Sequence, residues 1–65
     1  MAIGNKWMIE EFGGKYDVKL NRHSTNIIDC DDIEEALTRL KRSKRYKKGD
    51  TIMSVDHTGY QQRIR

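Results

Sequence analysis

The residues best suited to bind a ligand form a basic run, RLKRSKRYKKGD, from Arg39 to Asp50. Seven of its first ten residues are Lys or Arg, and one aromatic residue, Tyr46, lies among them. Cations at this density neutralise the phosphates of a nucleic-acid backbone. An interleaved aromatic ring either stacks on a base or packs under the end of a helix, and the sequence leaves both roles open for Tyr46.

Charge is segregated along the chain. Residues 1–38 carry four Lys/Arg and eight Asp/Glu, a balance of −4, whereas residues 39–65 carry nine and two, a balance of +7, and together they give the net charge of +3. Helix-dipole complementarity explains cations in a last helical turn, but cations beyond that turn repel one another and favour an anionic partner. The predicted nucleic-acid-binding residues are Arg39, Lys41, Arg42, Lys44, Arg45, Tyr46, Lys47 and Lys48, joined by Arg63 and Arg65 if the last strand lies beside the helix end.

The sequence gives less support to metal binding or catalysis. The potential metal ligands lack any C-x-x-C or H-x-x-x-H spacing, so no metal site is expected; they are His23, Asp29, Cys30, Asp31, Asp32 and His57. Carboxylates flank Cys30 and oppose a reactive thiolate, which favours a buried small residue. Gly13 and Gly14 do not stand between a strand and a helix as a phosphate loop requires. We therefore expect no catalytic residue, no cofactor and no enzymatic activity.

Length and composition predict one folded domain over residues 1–65. Hydrophobic and charged residues each make up 35% of the chain, which is polar for a globular domain, yet the five aromatic residues are too many for a disordered one. Cys30 is the single cysteine, which excludes an intrachain disulfide. The sequence lacks the apolar N-terminal run that would predict a secretory signal or a membrane span. We therefore expect a cytoplasmic protein with no membrane partner.

The elements that must position the basic run begin with a hairpin. Gly13-Gly14 is a two-residue type I′ turn signal, because both central positions need positive φ. Counting outward from it pairs Trp7 with Leu20 and places the apolar residues Trp7, Ile9, Tyr16, Val18 and Leu20 on one face of the hairpin. Met8 and Phe12 fall on the opposite, polar face, where they are candidates for a partner interface.

An amphipathic helix follows, predicted at about Asp32 to Ser43. Ile33, Ala36, Leu37 and Leu40 recur at i, i+3, i+4 and i+7, which places one apolar stripe on the core. Asp31 is the predicted N-cap, with Glu34 completing a capping box. Acidic residues fill the first turns and basic residues the last, as the helix dipole favours.

A second hairpin is predicted from TIMSV and YQQRIR, with Asp56 to Gly59 as the loop. In this register Met53, Val55, Tyr60 and Ile64 share the core face, while a three-residue loop would bury Ser54 instead. The elements predict an α+β domain of ββαββ order, in which two hairpins form a single antiparallel sheet with the helix on one face.

The nine residues KKGDTIMSV, Lys47 to Val55, resemble the opening segment of LysM carbohydrate-binding domains. That family continues into two helices, whereas the residues after Val55 predict a strand. The likeness therefore implies neither the fold nor the activity of that family.

These features predict a small nucleic-acid-binding accessory protein, for DNA or RNA, that contacts mainly phosphates in a salt-dependent way. The alternative is a protein-interaction module, of the kind that phages encode as adaptors or inhibitors. Its basic surface would meet an acidic protein, and Met8 and Phe12 would supply apolar anchors. A homodimer through the outer hairpin face or an edge strand is compatible with either function.

Overall fold

A computed structural model describes residues 4–64, in which the chain forms five strands and one helix. Along the chain these are β1 (Lys6–Phe12), β2 (Lys15–Leu20), β3 (His23–Ser24), α1 (Ile33–Arg42), β4 (Thr51–Val55) and β5 (Gln61–Arg63). The strands form one sheet in the order β3-β2-β1-β4-β5. The α+β class is therefore confirmed.

The prediction of an all-antiparallel sheet is wrong for the central pair of strands. β1 pairs with β2 antiparallel but with β4 parallel, with Trp7 beside Ile52 and Met8 beside Met53. The sheet is therefore mixed, and β1 is its central strand.

The first hairpin has the predicted register. Trp7 faces Leu20, Ile9 faces Val18 and Phe12 faces Lys15. Gly13 and Gly14 have φ of 53° and 80°, the left-handed conformation that a type I′ turn requires. The turn chemistry and the alternation of apolar residues together determined this pairing.

An additional pass of the chain explains the parallel pair. Asn21 and Arg22, with φ of 50° and 71°, turn β2 into the short strand β3. The chain then runs back along β2, where the Val18 amide donates to the Ile27 carbonyl and Tyr16 exchanges hydrogen bonds with Cys30. This pass covers the outer edge of β2 and returns the chain to the Gly13-Gly14 end. The helix then delivers β4 to the opposite end, so β4 runs in the same direction as β1.

The helix lies within one residue of its predicted limits at each end. Its N-cap is Asp32 rather than Asp31, because the Asp32 carboxylate accepts a hydrogen bond from the Glu35 amide at 2.8 Å. Asp31 instead pairs with the Lys15 ammonium on the neighbouring strand. At the C-terminal end, Ser43 leaves the helix with an extended backbone, and its amide donates to the Leu40 carbonyl.

The second hairpin is shifted by one residue from the preferred register. Val55 pairs with Gln61 and Ser54 with Gln62, the alternative that a three-residue loop produces. The Asp56 carboxylate causes the shift, since it accepts hydrogen bonds from the Thr58 and Tyr60 amides and closes the loop early. Tyr60, predicted on the core face, is 66% exposed. The parallel pairing with β1 places Ile52 beside Trp7 in the core and turns Met53 and Val55 to the outer face.

The core lies between the helix and one face of the sheet. Ile33 and Leu37 pack against it from the predicted apolar stripe of the helix. Its buried apolar residues are Trp7, Ile9, Val18, Ile27, Cys30, Ala36, Leu40 and Ile52.

Candidate nucleic-acid interface

Cationic side chains gather at the end of the sheet where the helix terminates. This group, called the basic end below, brings together six residues of the basic run with Lys6 at the start of β1 and Arg22 in the β2-β3 turn. All eight side chains belong to exposed residues, and none lies within 4.0 Å of a carboxylate of the described residues. The members are Lys6, Arg22, Lys41, Arg42, Lys44, Arg45, Lys47 and Lys48.

Sequence reasoning missed Lys6 and Arg22 because they are distant from the run along the chain. The Asn21 amide donates to the Lys6 carbonyl at 2.8 Å, and the Asn21 carboxamide accepts from the Lys6 amide. These bonds hold the β2-β3 turn against the start of β1. The available signal was Asn21 itself, since Asn tolerates the positive φ of a two-residue turn.

Short local hydrogen bonds shape the loop that carries the cations beyond the helix. The Ser43 hydroxyl accepts from the Arg45 amide at 3.2 Å, and the Ser43 carbonyl accepts from the Tyr46 amide at 3.1 Å. The Asp50 amide donates to the Lys47 carbonyl at 3.1 Å. The backbone of this loop is therefore bonded to itself, and its cationic side chains point into solvent.

Asp50 anchors this loop to the sheet. Its buried carboxylate accepts hydrogen bonds from the Trp7 indole at 2.8 Å, the Asn5 amide at 2.8 Å and the Lys47 amide at 2.9 Å. Burial alone would raise the pKa of Asp50, but these three donors and the nearby Lys47 ammonium outweigh it, so the pKa lies below its usual value. Asp50 is therefore an ionised acceptor beneath the cations.

Gly4 allows this close approach of the chain start to the loop. A Cβ atom at Gly4 would lie 2.3 Å from the Gly49 carbonyl oxygen, closer than any side chain tolerates. The backbone before β1 therefore packs directly against the residue that precedes Asp50.

The aromatic residue of the basic run is partly used by the fold. The Tyr46 ring meets the buried Trp7 ring edge-on, with centroids 6.3 Å apart and planes at 63°. Of the two roles left open for Tyr46, packing under the helix end is the one the structure displays. Trp7 is fully buried and serves as a core residue.

Arg39 has intramolecular partners. Its guanidinium donates to the Asn26 and Ile28 carbonyls at 3.4 and 3.3 Å and lies 3.9 Å from the Glu35 carboxylate. It also donates to the Cys30 sulfur at 3.5 Å. Arg39 thus fastens the returning segment to the helix, whereas the other six cations of the basic run make no side-chain hydrogen bond or ion pair within residues 4–64.

A groove separates the C-terminal end of the helix from that returning segment. One wall carries Ser24, Thr25 and Asn26, and the other carries Arg42, Ser43, Lys44 and Arg45. The buried side chains of Trp7 and Ile27 lie beneath it. The groove therefore joins hydrogen-bonding side chains on one side to cations on the other.

β5 runs antiparallel to β4, so its last residues lie beside the start of β4. Arg63 pairs with Met53 on the outer face of the sheet, opposite the helix, and it takes part in an interaction within the protein. Arg65 lies outside the described residues.

The two residues of the predicted partner interface, Met8 and Phe12, both lie on this outer face. Phe12 is 68% exposed, and Met8 is half-buried beside Met53. Val55 lies on the same face next to Glu10. The apolar strip is therefore longer than the sequence pattern suggested, because the parallel pairing of β4 with β1 adds Met53 and Val55 to it.

Cys30 is fully buried, as expected for a cysteine whose acidic neighbours oppose a reactive thiolate. Burial raises the pKa of its thiol, and the hydrogen bond from Arg39 opposes that rise only in part. Within residues 4–64, no three His, Cys, Asp or Glu side chains are grouped so that they could hold a metal ion. No helix in this part of the chain has the length and apolar character needed to cross a membrane.

Comparisons with known proteins give no relative. No protein-family model matches the chain. Neither a curated protein nor a solved structure matches it significantly.

Proposed function

We propose that the protein is a small nucleic-acid-binding accessory protein whose basic end contacts phosphates. The observation that carries this proposal is the gathering of eight exposed cationic residues with no carboxylate of the described residues within ion-pair distance. Each cation that neutralises a phosphate releases condensed counterions, so an unpaired cluster gives affinity that depends on salt.

The position of the acidic residues supports the same function. The helix begins at the Gly13-Gly14 end, where Asp31 meets Lys15, and most carboxylates of the chain lie there. A protein with charges separated in this way turns its basic end toward a polyanion as it approaches. The acidic end faces away from the nucleic acid, so binding is end-on and requires no sequence-specific contact.

A titration tests this function. Fluorescence anisotropy with duplex DNA, single-stranded DNA and RNA at two salt concentrations should show binding that weakens as salt rises. Changing Lys44, Arg45, Lys47 and Lys48 together to Gln should weaken binding and flatten the salt dependence. The log-log slope should fall by nearly one unit for each duplex phosphate that the variant no longer neutralises.

The matched control changes two cations whose charge is already neutralised. Lys15 pairs with Asp31, and Lys19 pairs with Glu10 at 2.9 Å, so Lys15→Gln with Lys19→Gln should leave affinity and salt dependence near those of the wild type. Absence of salt-dependent binding to any of the three nucleic acids at about 50 mM salt would contradict the proposal, because phosphate contacts are strong there.

A second candidate, self-association through the outer face of the sheet, is favoured by the apolar strip. Met8 and Met53 lie side by side there, with Phe12 and Val55 on the same face. Lys19 borders the strip beside Met8, and Asp17 lies beside Glu10. A second copy placed face to face about a two-fold axis brings the two apolar strips together.

Sedimentation equilibrium tests this association. The wild type should be dimeric at high micromolar concentration, and Met8→Ser with Phe12→Ser should be monomeric. Tyr60→Ser, which removes another exposed aromatic residue, is the control and should stay dimeric. A monomeric wild type would show that the strip does not join two copies.

A further inference from the structure

We propose that the groove between the helix end and the returning segment seats one unpaired nucleotide of a single strand. This inference rests on the proposed nucleic-acid function and names the form of nucleic acid that the site prefers. Arg42, Lys44 and Arg45 contact the phosphates, and Ser24 and Asn26 contact the edge of the base.

The two walls of the groove differ in chemistry in a way that matches a nucleotide. The helix-side wall is cationic, as a phosphate requires, and the opposite wall carries the uncharged side chains of Ser24 and Asn26. Both of these residues are exposed, and their side chains make no hydrogen bond within residues 4–64. Their donors and acceptors are therefore available, whereas the Thr25 hydroxyl between them already bonds to Val18 and Ile27.

The recessed floor of the groove favours the binding of an unpaired nucleotide over the binding of a duplex. Trp7 and Ile27 lie beneath it with 0% and 7% of their surface exposed, so the bottom of the groove carries no charged side chain for a phosphate. In a duplex the bases face one another and only the backbone reaches a recess of this kind, while in a single strand a base can turn outward and enter. A carboxamide such as that of Asn26 is suited to adenine, whose amino group and ring nitrogen supply a matching donor and acceptor.

The wall that carries Asn26 is held in place by the fold. Arg39 donates to the Asn26 and Ile28 carbonyls, and the Thr25 hydroxyl donates to the Val18 carbonyl at 2.7 Å. Arg39 is thus a positioning residue for the groove rather than a phosphate ligand. A wall fastened in this way loses little conformational freedom when a ligand binds.

The test compares two double variants that both remove neutral polar side chains. Ser24→Ala with Asn26→Ala should weaken binding to single-stranded oligo-dA about tenfold. The salt slope should not change, since no charge is removed, and affinity for a duplex of the same length should stay at the wild-type value. Gln61→Ala with Gln62→Ala, on exposed residues of β5 outside the groove, should leave both affinities and the salt slope unchanged.

A second measurement locates the bound strand without any substitution. In ¹⁵N-labelled protein, oligo-dA should shift the amide resonances of Ser24–Ile27 and Ser43–Arg45 and the indole resonance of Trp7. Shifts confined to Lys47 and Lys48, or equal reductions of single-strand and duplex affinity in Ser24→Ala with Asn26→Ala, would overturn the groove while leaving the phosphate-binding function intact. A wild type that binds no nucleic acid would overturn both.

Discussion

The two ends of the sheet use their charges differently. At the acidic end, near Gly13-Gly14, seven of nine carboxylates interact within the protein: Glu10 with Lys19, Glu11 with His57, Asp17 with the Asp29 amide, Asp31 with Lys15, Asp32 with the Glu35 amide, Glu35 with Arg39, and Asp56 with Thr58 and Tyr60. Asp29 and Glu34 complete the nine. At the basic end, eight exposed cations have no such partners among the described residues, and the single carboxylate, Asp50, is buried beneath them.

This difference separates charges that stabilise the fold from charges available to a ligand. A carboxylate that caps a helix or closes a loop stabilises the native state, and its removal affects folding. Exposed like charges stabilise nothing in the free protein and even repel one another, so their removal affects binding alone. The two kinds of charge therefore predict opposite consequences of their removal.

The largest expected effect comes from the one carboxylate at the basic end. Asp50→Ala leaves the Trp7 indole and two backbone amides without their buried acceptor, and should lower the free energy of unfolding by about 3 kcal/mol. Urea denaturation followed by circular dichroism measures it. Asp31→Ala, which removes an exposed carboxylate from the acidic end, should unfold near the wild-type midpoint. Equal destabilisation of both variants would contradict the anchoring role of Asp50.

Tyr46 tests whether the aromatic residue of the basic end belongs to the fold or to the ligand site. Because its ring packs on Trp7, Tyr46→Ala should cost about 2 kcal/mol of stability and leave nucleic-acid affinity close to the wild-type value. Tyr46→Phe, which keeps the ring, should restore the stability. A large decrease in single-strand affinity with unchanged stability would show that the ring stacks on a base instead.

The turn at the acidic end depends on glycine, whereas the turn at the basic end is made by Asn21 and Arg22. Gly14→Val forces a β-branched residue to a φ of 80° and should destabilise the domain by more than about 1 kcal/mol. The strain arises from the backbone alone, because a Cβ at Gly14 would meet no other atom within 4 Å. Gly14→Asn should be milder, since Asn accepts positive φ. An unchanged melting temperature for the Val variant would contradict this.

Acid should weaken the contribution of Asp50. Its pKa is lower in the folded protein than in the unfolded chain, so its stabilisation is complete above the unfolded value of about 4 and is lost as the pH falls through the folded value. Asp56, whose pKa is lowered by hydrogen bonds from Thr58, adds to the same effect. The pKa of Asp31 is lowered by its hydrogen bond from Lys15, but this exposed pair contributes little to stability.

The measurement is the free energy of unfolding of the wild type and of Asp50→Asn between pH 7 and pH 2.5. The gap between the two proteins should be widest near neutral pH and should narrow below about pH 4, because protonated Asp50 resembles Asn. A gap that stays constant with pH would show that the charge of Asp50 contributes nothing.

The smallest expected effect on stability is that of the four cations past the helix. Changing Lys44, Arg45, Lys47 and Lys48 to Gln should leave the melting temperature the same or slightly higher, although the same variant binds nucleic acid more weakly. Differential scanning calorimetry at low salt gives the most sensitive comparison, since repulsion is least screened there. A marked decrease in the melting temperature of this variant would show that these cations stabilise the folded protein.

The sequence by itself determined the elements whose signals are local. Gly13-Gly14 specified the first turn and its register, and the apolar spacing from Ile33 to Leu40 specified the helix face. The segregation of charge was also predictable from the sequence, because the helix carries its acidic residues at one end and its basic residues at the other. Each of these depends on residues within a few positions of one another, where geometry follows from φ or from helical periodicity.

Only the tertiary structure decided the arrangement that depends on distant contacts. The pass of residues 25–30 along β2 has no strand-like pattern, yet it reverses the direction in which the helix delivers β4 and so makes the central pair parallel. That parallel pairing placed Ile52 inward beside Trp7 and Met53 outward beside Met8, and the Asp56 loop bonds set the register of β5. Lys6, Arg22 and Asp50 joined the basic end for the same reason. A sheet brings residues together by register, and register depends on hydrogen bonds between segments far apart in the chain.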